Sequence, residues 1–249
     1  MMLFRQLSDA TTRTLSYLVA SRRGGKAVLV DPVRSQLRLY LRLLEALDLS
    51  LAFAIDTHTH HGHDSALGAL LIHTDCVTVM GRESQVDCVA RHLRDGEVLK
   101  VDGLEIEAMH TPGHTPDSYS LVMDDRVFTG DTLLINGTGR TDLGGDARQQ
   151  YESLFSKLLR LPGRTLVYPA HDYNGRHVSS IADERRQNPR LLARSADEYA
   201  ALMQRVRPRA PGHADAAEPP SLNPSAPLMR QLLAARAALG VTRAGARLF

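Results

Sequence analysis

The stretch Asp56-Thr-His58-Thr-His60-His61-Gly62-His63-Asp64 follows without a break on the apolar run Leu51-Ala-Phe-Ala-Ile55. A short apolar run closed by polar residues reads as a buried strand, so the histidines stand at a strand end. Alternate residues of an extended segment project to one side. His58 and His60 therefore share a face and can offer two imidazoles to one cleft. His61 falls out of phase with them and is not expected to be a ligand. Neutral imidazole suits zinc, iron and copper. A single histidine here would read as a polar surface residue. Four within six residues, in a chain of 249 residues with 11 histidines, point instead to a metal centre.

Three further motifs have the same form. Thr111-Pro-Gly-His114-Thr-Pro116 holds one imidazole on a turn set by Pro112 and Gly113. Phe128-Thr-Gly-Asp131-Thr132 presents a carboxylate, and Tyr168-Pro-Ala-His171-Asp172-Tyr173 a further histidine. A histidine or aspartate at one strand end is often structural, so the signal is the series of four. Strand-like runs are read at residues 15–20, 27–30, 51–55, 76–80, 97–101, 104–109, 118–123, 126–128 and 166–168. Asp102-Gly103 marks a hairpin. Helical spacing is read at 36–47, at 65–73 with Asp64 as the expected N-cap, and at 147–159, stopped by Pro162-Gly163. Hairpins intermixed with helices argue for antiparallel or mixed sheets with helices outside them, not a doubly wound parallel sheet.

Composition narrows the class. Hydrophobic residues make up 43% and charged residues 23%, the balance of a globular protein. Lys+Arg number 30 against 28 Asp+Glu, so no basic stripe favours nucleic acid as a partner. No apolar run approaches the roughly 20 residues of a membrane span, and no signal-peptide core precedes the first strand. Two cysteines, Cys76 and Cys88, make no disulfide framework, and a reducing cytoplasm is the expected location. Residues 1–206 are expected to form the catalytic domain. Residues 207–249 read as a Pro/Ala-rich connector and a helical tail (near 229–239) on the same domain.

The four strand-end motifs, in this order, resemble the metallo-β-lactamase superfamily. Further blocks are similar to its persulfide dioxygenase branch: Val28-Leu-Val-Asp-Pro-Val33, Gly139-Arg-Thr-Asp142, Leu161-Pro-Gly163, Tyr168-Pro-Ala-His-Asp-Tyr173 and Asn188-Pro-Arg190. The resemblance spans about residues 3–203. It implies an α+β fold, an αββα sandwich of two mixed β-sheets flanked by helices. It implies a mononuclear non-haem Fe(II) enzyme, with zinc the alternative metal, that oxidises glutathione persulfide with O₂ to sulfite and glutathione. A homodimer is a further expectation from the family.

Carried over by position, the resemblance puts the metal ligands at His58, His114 and Asp131. Such a set occupies one face of an octahedral ion and leaves the others open. His60 would stand beside the metal, as an orienting group or a weak fourth ligand. His63 and His171 match positions that build a second metal site in hydrolytic relatives. The superfamily motif carries Asp where this chain has Gly62, which removes one ligand of that second site. Asp64 is better placed to cap a helix than to replace it. His171 and Tyr173 join His60 as candidate catalytic groups. Arg140 and Tyr173 are the candidates for gripping glutathione, with an Arg140–Asp142 brace as the structural alternative. The rival functions are a glyoxalase II-like zinc thioester hydrolase, another hydrolase of the fold, or a non-catalytic metal-binding protein.

Overall fold

The computed structural model describes residues 2–173 and 175–205, together with Ala234. Ala234 apart, the expected connector and tail helix of residues 207–249 lie outside the described residues. The first half runs β1 (Leu3–Ser8), β2 (Leu15–Ala20), β3 (Lys26–Val30), α1 (Leu37–Ala46), β4 (Ser50–Ile55), α2 (Leu67–His73), β5 (Val77–Gly81) and β6 (Arg91–Leu93). The second runs β7 (Val98–Val101), β8 (Leu104–His110), β9 (Tyr119–Val122), β10 (Arg126–Gly130), α3 (Ala147–Glu152), β11 (Leu166–Pro169), β12 (Ser179–Ser180), α4 (Ile181–Gln187) and α5 (Ala196–Gln204).

Each half forms one six-stranded sheet, in the orders β1-β2-β3-β4-β5-β6 and β12-β11-β10-β9-β8-β7. Both are mixed. β1, β2 and β3 pair antiparallel, while β3 to β6 run parallel. β7 to β10 form an antiparallel meander, and β11 then joins β10 in parallel. Side-chain alternation shows why two sheets stack. In β2, Leu18 and Ala20 pack outward with Tyr40 and Leu44 of α1 and Leu67 and Leu70 of α2. Its neighbours Leu15, Tyr17 and Val19 pack inward with Ile106, Leu121 and Phe128 of the other sheet. On the far face Val127 and Val167 meet Leu154, Leu158, Ile181 and Tyr199. The result is four layers, helices outside two sheets, in which strands buried on both faces read as continuous apolar runs.

Asp102 and Gly103 both have positive φ, 45° and 87°, as the two-residue hairpin turn requires. Two expectations need correction. Asp64 does not cap α2: the helix opens at Leu67 with Ala66 at its N-cap and no side-chain cap bond. The carbonyl of Asp64 instead accepts from Arg34 N at 2.9 Å, tying the histidine loop to the segment after β3. The helix at 147–159 is not uniform. Asp146 caps α3, but the chain widens to a π turn at Ser153–Lys157 and tightens to a 3₁₀ turn at Leu158–Arg160 before Pro162.

Parallel pairing of β3 with β4, and of β10 with β11, brings their C-terminal ends to the same side within each sheet. The loops that follow β3, β4, β8, β10 and β11 meet at one edge of the sandwich, and every histidine and aspartate motif lies on them.

Candidate metal centre

His58 Nε2 lies 3.9 Å and His114 Nε2 3.6 Å from Asp131 Oδ2. The three donor atoms all fall within 4.8 Å of one another. Ligands about 2.1 Å from one ion stand at most about 4.2 Å apart, so both contacts to Asp131 fit donors around a single ion. His58 comes from the first sheet, and His114 and Asp131 from the second, so the centre bridges the layers. Gly130 (φ 54°) permits this closeness: a Cβ there would lie 2.7 Å from Thr57 Oγ1. Gly139 does the same on the other side, where a Cβ would lie 2.3 Å from the Asp131 carbonyl oxygen.

Hydrogen bonds fix which nitrogen of each imidazole faces the centre. His114 Nδ1 is 2.7 Å from the Arg140 carbonyl oxygen, which can only accept. The proton is therefore on Nδ1, and Nε2 keeps its lone pair. The Thr57 hydroxyl lies 3.0 and 3.1 Å from the Asp31 carboxylate oxygens, and donates to them. With that proton committed, Thr57 Oγ1 accepts from His58 Nδ1 at 2.9 Å, and His58 Nε2 is likewise left for a metal. Such outer partners orient ligands and tune the ion they hold.

The charges agree. Burial pushes the Asp131 carboxyl up, but the charge and hydrogen bond of His171, with His114 and His58, hold it well below the usual range. Burial, then the charge of His60, push the His58 imidazolium far down, so His58 is neutral. Two imidazole nitrogens and an anionic carboxylate are a donor set suited to a divalent ion, and the residues present fit one.

The structure separates His60 from this set. Its Nε2 faces Asp31 Oδ1 at 3.3 Å and Asp56 Oδ1 at 3.8 Å, although its ring lies 4.2 Å from that of His58. Burial disfavours its charge, but the Asp31 hydrogen bond and the charges of Asp56 and Asp31 outweigh it and raise its pKa to about 9. His171 lies against the centre without joining the donors: its Nδ1 is 2.7 Å from Asp131 Oδ1, and its Nε2 is 3.3 Å from Thr14 Oγ1. His63 Nδ1 reaches the same hydroxyl at 3.2 Å. Burial, then the charges of His60 and His171, hold the His63 imidazolium far below its ordinary range.

The remaining candidates sit at the rim. Tyr173 is half exposed and lies parallel to the His171 ring at 5.9 Å. The Arg140 guanidinium forms two 2.6 Å bonds to Asp142, the bracing arrangement, while the Arg140 backbone orients His114. Cys76 and Cys88 are not joined in a disulfide and are buried in the outer core of the first sheet, away from the metal motifs. Sequence reasoning assigned no role to Thr14, Asp31, Thr57 or Asp117. Asp117 accepts from the Thr59 N–H and hydroxyl at 3.1 and 2.5 Å and so pins the histidine loop. A hydroxyl or carboxylate beside a ligand has no spacing of its own, though Asp31 has the strand-end position shared by the other site residues.

Comparison with known proteins adds to this geometry. The profile of the metallo-beta-lactamase superfamily matches residues 11–171. The mitochondrial persulfide dioxygenase ETHE1 of Homo sapiens is 37% identical over 226 residues, which cover 88% of this chain and 87% of that protein. The crystal structure of ETHE1 from Myxococcus xanthus superposes with a TM-score of 0.82 at 43% identity, covering 86% of this chain and 96% of that one. A hydroxyacylglutathione hydrolase of Polaromonas sp. (strain JS666) is 32% identical over 167 residues, 65% of this chain and 63% of its own length.

Proposed function

The chain belongs to the metallo-beta-lactamase superfamily and, within it, to the persulfide dioxygenases, and on that premise we propose that it uses a single Fe(II) ion to oxidise glutathione persulfide. In balanced form, glutathione persulfide, O₂ and water give glutathione and sulfurous acid, which ionises to sulfite. His58, His114 and Asp131 would hold the ion. When bound, it would supply open coordination positions at which the persulfide sulfur and O₂ meet.

The observation that carries a single ion is the one donor group of His58, His114 and Asp131, with Gly62 where the superfamily motif has its aspartate. His171 Nδ1 lies within hydrogen-bond distance of both Asp131 oxygens, Oδ1 at 2.7 Å and Oδ2, the oxygen that faces His58 and His114, at 3.0 Å. The groups that could complete a second site are depleted: Gly62 has no side chain to offer, and His171 is engaged by Asp131 and Thr14, which leaves His63, whose Nδ1 meets Thr14 and whose buried Nε2 has no partner. A glyoxalase II-like hydrolase built on two metals is the second reading. It is favoured by the similarity to hydroxyacylglutathione hydrolase and opposed by this arrangement.

The chain's own groups do the positioning. Thr57 and the Arg140 carbonyl aim the two imidazoles. His171 steadies Asp131 and stacks against Tyr173, whose hydroxyl we place next to the substrate. Arg140 would grip a glutathione carboxylate by exchanging Asp142 for it, since its planar fork matches either partner. We place the protein in the cytoplasm, in line with two buried cysteines that form no disulfide. The test is to purify the protein without oxygen, add glutathione persulfide, and follow O₂ uptake and sulfite. Uptake matched by sulfite, about one of each per persulfide, supports the reading. No uptake, with hydrolysis of a glutathione thioester instead, overturns it.

A further inference from the structure

The turn that carries His114 rests on α3. Gly113 packs directly on Gln150: a Cβ at Gly113 would lie 2.3 Å from the Gln150 Cα. Asp146 N donates to the Gly113 carbonyl at 2.8 Å, and the Ser153 hydroxyl donates to the Pro112 carbonyl at 2.6 Å. Gln150 also reaches the other side of His114. Its Nε2 lies 3.0 Å from the carbonyl oxygen of Gly139, the residue before Arg140, whose own carbonyl holds His114 Nδ1. Gly139 N in turn donates to the Asp131 carbonyl at 2.7 Å. One side chain of α3 thus touches the backbone on both sides of a ligand.

Chemistry fixes the direction of each bond. The Gly139 carbonyl can only accept, so the amide nitrogen of Gln150 faces it and Oε1 is left as an acceptor. The Tyr199 hydroxyl of α5, 2.8 Å away, therefore donates to Oε1. A phenol has one proton, so Thr138 Oγ1, also 2.8 Å from that hydroxyl, is the donor to it. Gln150 and Tyr199 are both 0% exposed. Glutamine is seldom fully buried, and burying an amide costs free energy unless its bonds are made. The core that Tyr199 shares with Leu154 and Leu158 is apolar. An apolar side chain at 150 would meet the packing there, but it would leave the buried Gly139 carbonyl without this donor.

We propose that Gln150, held by Tyr199, is a positioning residue for the metal centre: it fixes the peptide between Gly139 and Arg140, and so places the carbonyl that aims His114. The path runs from α5 to a ligand without touching the metal. It rests on the donor group of His58, His114 and Asp131 and is independent of what is oxidised.

The test uses Zn(II) affinity by competition with a chelator and the visible spectrum of the Co(II)-loaded full chain, neither of which needs turnover. Gln150→Met fills the space without donating. Its Zn(II) affinity should fall about tenfold, the lower end of what outer partners contribute, and its Co(II) spectrum should shift. Tyr199→Phe, one bond further out, should lose about threefold in the same direction. Added to Gln150→Met, it should cost nothing more, because the two act through one path. Leu158→Ala is the control for general loosening. It opens a cavity in the same layer, so it should lower thermal stability and leave affinity and spectrum at their wild-type values. Wild-type affinity in Gln150→Met overturns the proposal. So does an additive loss in the double variant, or a loss in Leu158→Ala equal to that in Gln150→Met. If Gln150→Met does not fold, Tyr199→Phe set against Leu158→Ala decides, and unchanged affinity in Tyr199→Phe overturns the proposal. A wild-type chain that holds no Zn(II) overturns the donor group itself, which tells that failure apart from the failure of Gln150 alone.

Discussion

His58 and His60 share a loop, a face and near-complete burial, yet the structure drives them to opposite states. Burial and the neighbouring positive charge leave His58 neutral, with Nε2 open among His114 and Asp131. Asp31 and Asp56 overcome the same burial at His60 and keep it charged. Burial alone therefore does not decide what a histidine does. The difference lies in the first partner: a threonine hydroxyl that accepts from Nδ1 in one case, a pair of carboxylates facing Nε2 in the other.

The largest effect should come from breaking the donor group itself. Asp131→Asn or His114→Ala removes a ligand, and purified protein should lose nearly all bound metal and all persulfide oxidation, measured by elemental analysis and O₂ uptake. The matching His61→Ala should keep both, since His61 falls out of phase with the pair. Loss of metal in His61→Ala as severe as in His58→Ala would break the alternation on which the loop was read.

Thr57→Val keeps the shape but removes the hydroxyl between Asp31 and His58. Metal affinity should fall about 10- to 100-fold, the usual cost of an outer partner, with the fold intact by circular dichroism. Gly130→Ala acts through the backbone. Its φ of 54° and the 2.7 Å approach to Thr57 Oγ1 leave no room for a methyl group. A stability loss of about 1–3 kcal/mol is expected from denaturant titration.

The smallest effect separates the two imidazoles by pH. A raised folded-state pKa, as at His60, gives stability that is fully present below the unfolded value of about 6.5 and is lost as pH rises toward 9. The lowered pKa values of His58 and His63 give stability that is present above about 6.5 and is lost as pH falls below it. In metal-free protein, His60→Ala should flatten the decline between pH 6.5 and 9 and leave the acid limb in place. A decline that survives in His60→Ala would show that another group titrates there.

Much of this was legible in the sequence because it depends on period and position. Continuous apolar runs gave the strands buried on both faces, Asp102-Gly103 gave a hairpin, and strand-end motifs placed His58, His114, Asp131 and His171 at one edge. Edge and short elements were not legible. The two-residue β12 and three-residue β6 carry no period, and β1 alternates weakly at the rim of its sheet. The start of α2 was misread because Asp64 follows the loop as a cap would, while its carbonyl serves Arg34 instead. At the site, spacing placed His60 beside His58 but could not say where it would point. That is decided by Asp31, which lies 29 residues away in sequence and 3.3 Å away in space.

The measurement that bears most directly on the central claim is X-ray absorption at the iron edge, with metal content, on protein loaded with Fe(II). The account predicts about one iron per chain, two imidazoles in its coordination shell and no metal–metal distance. Three imidazoles, or a second metal about 3.5 Å from the first, would contradict it.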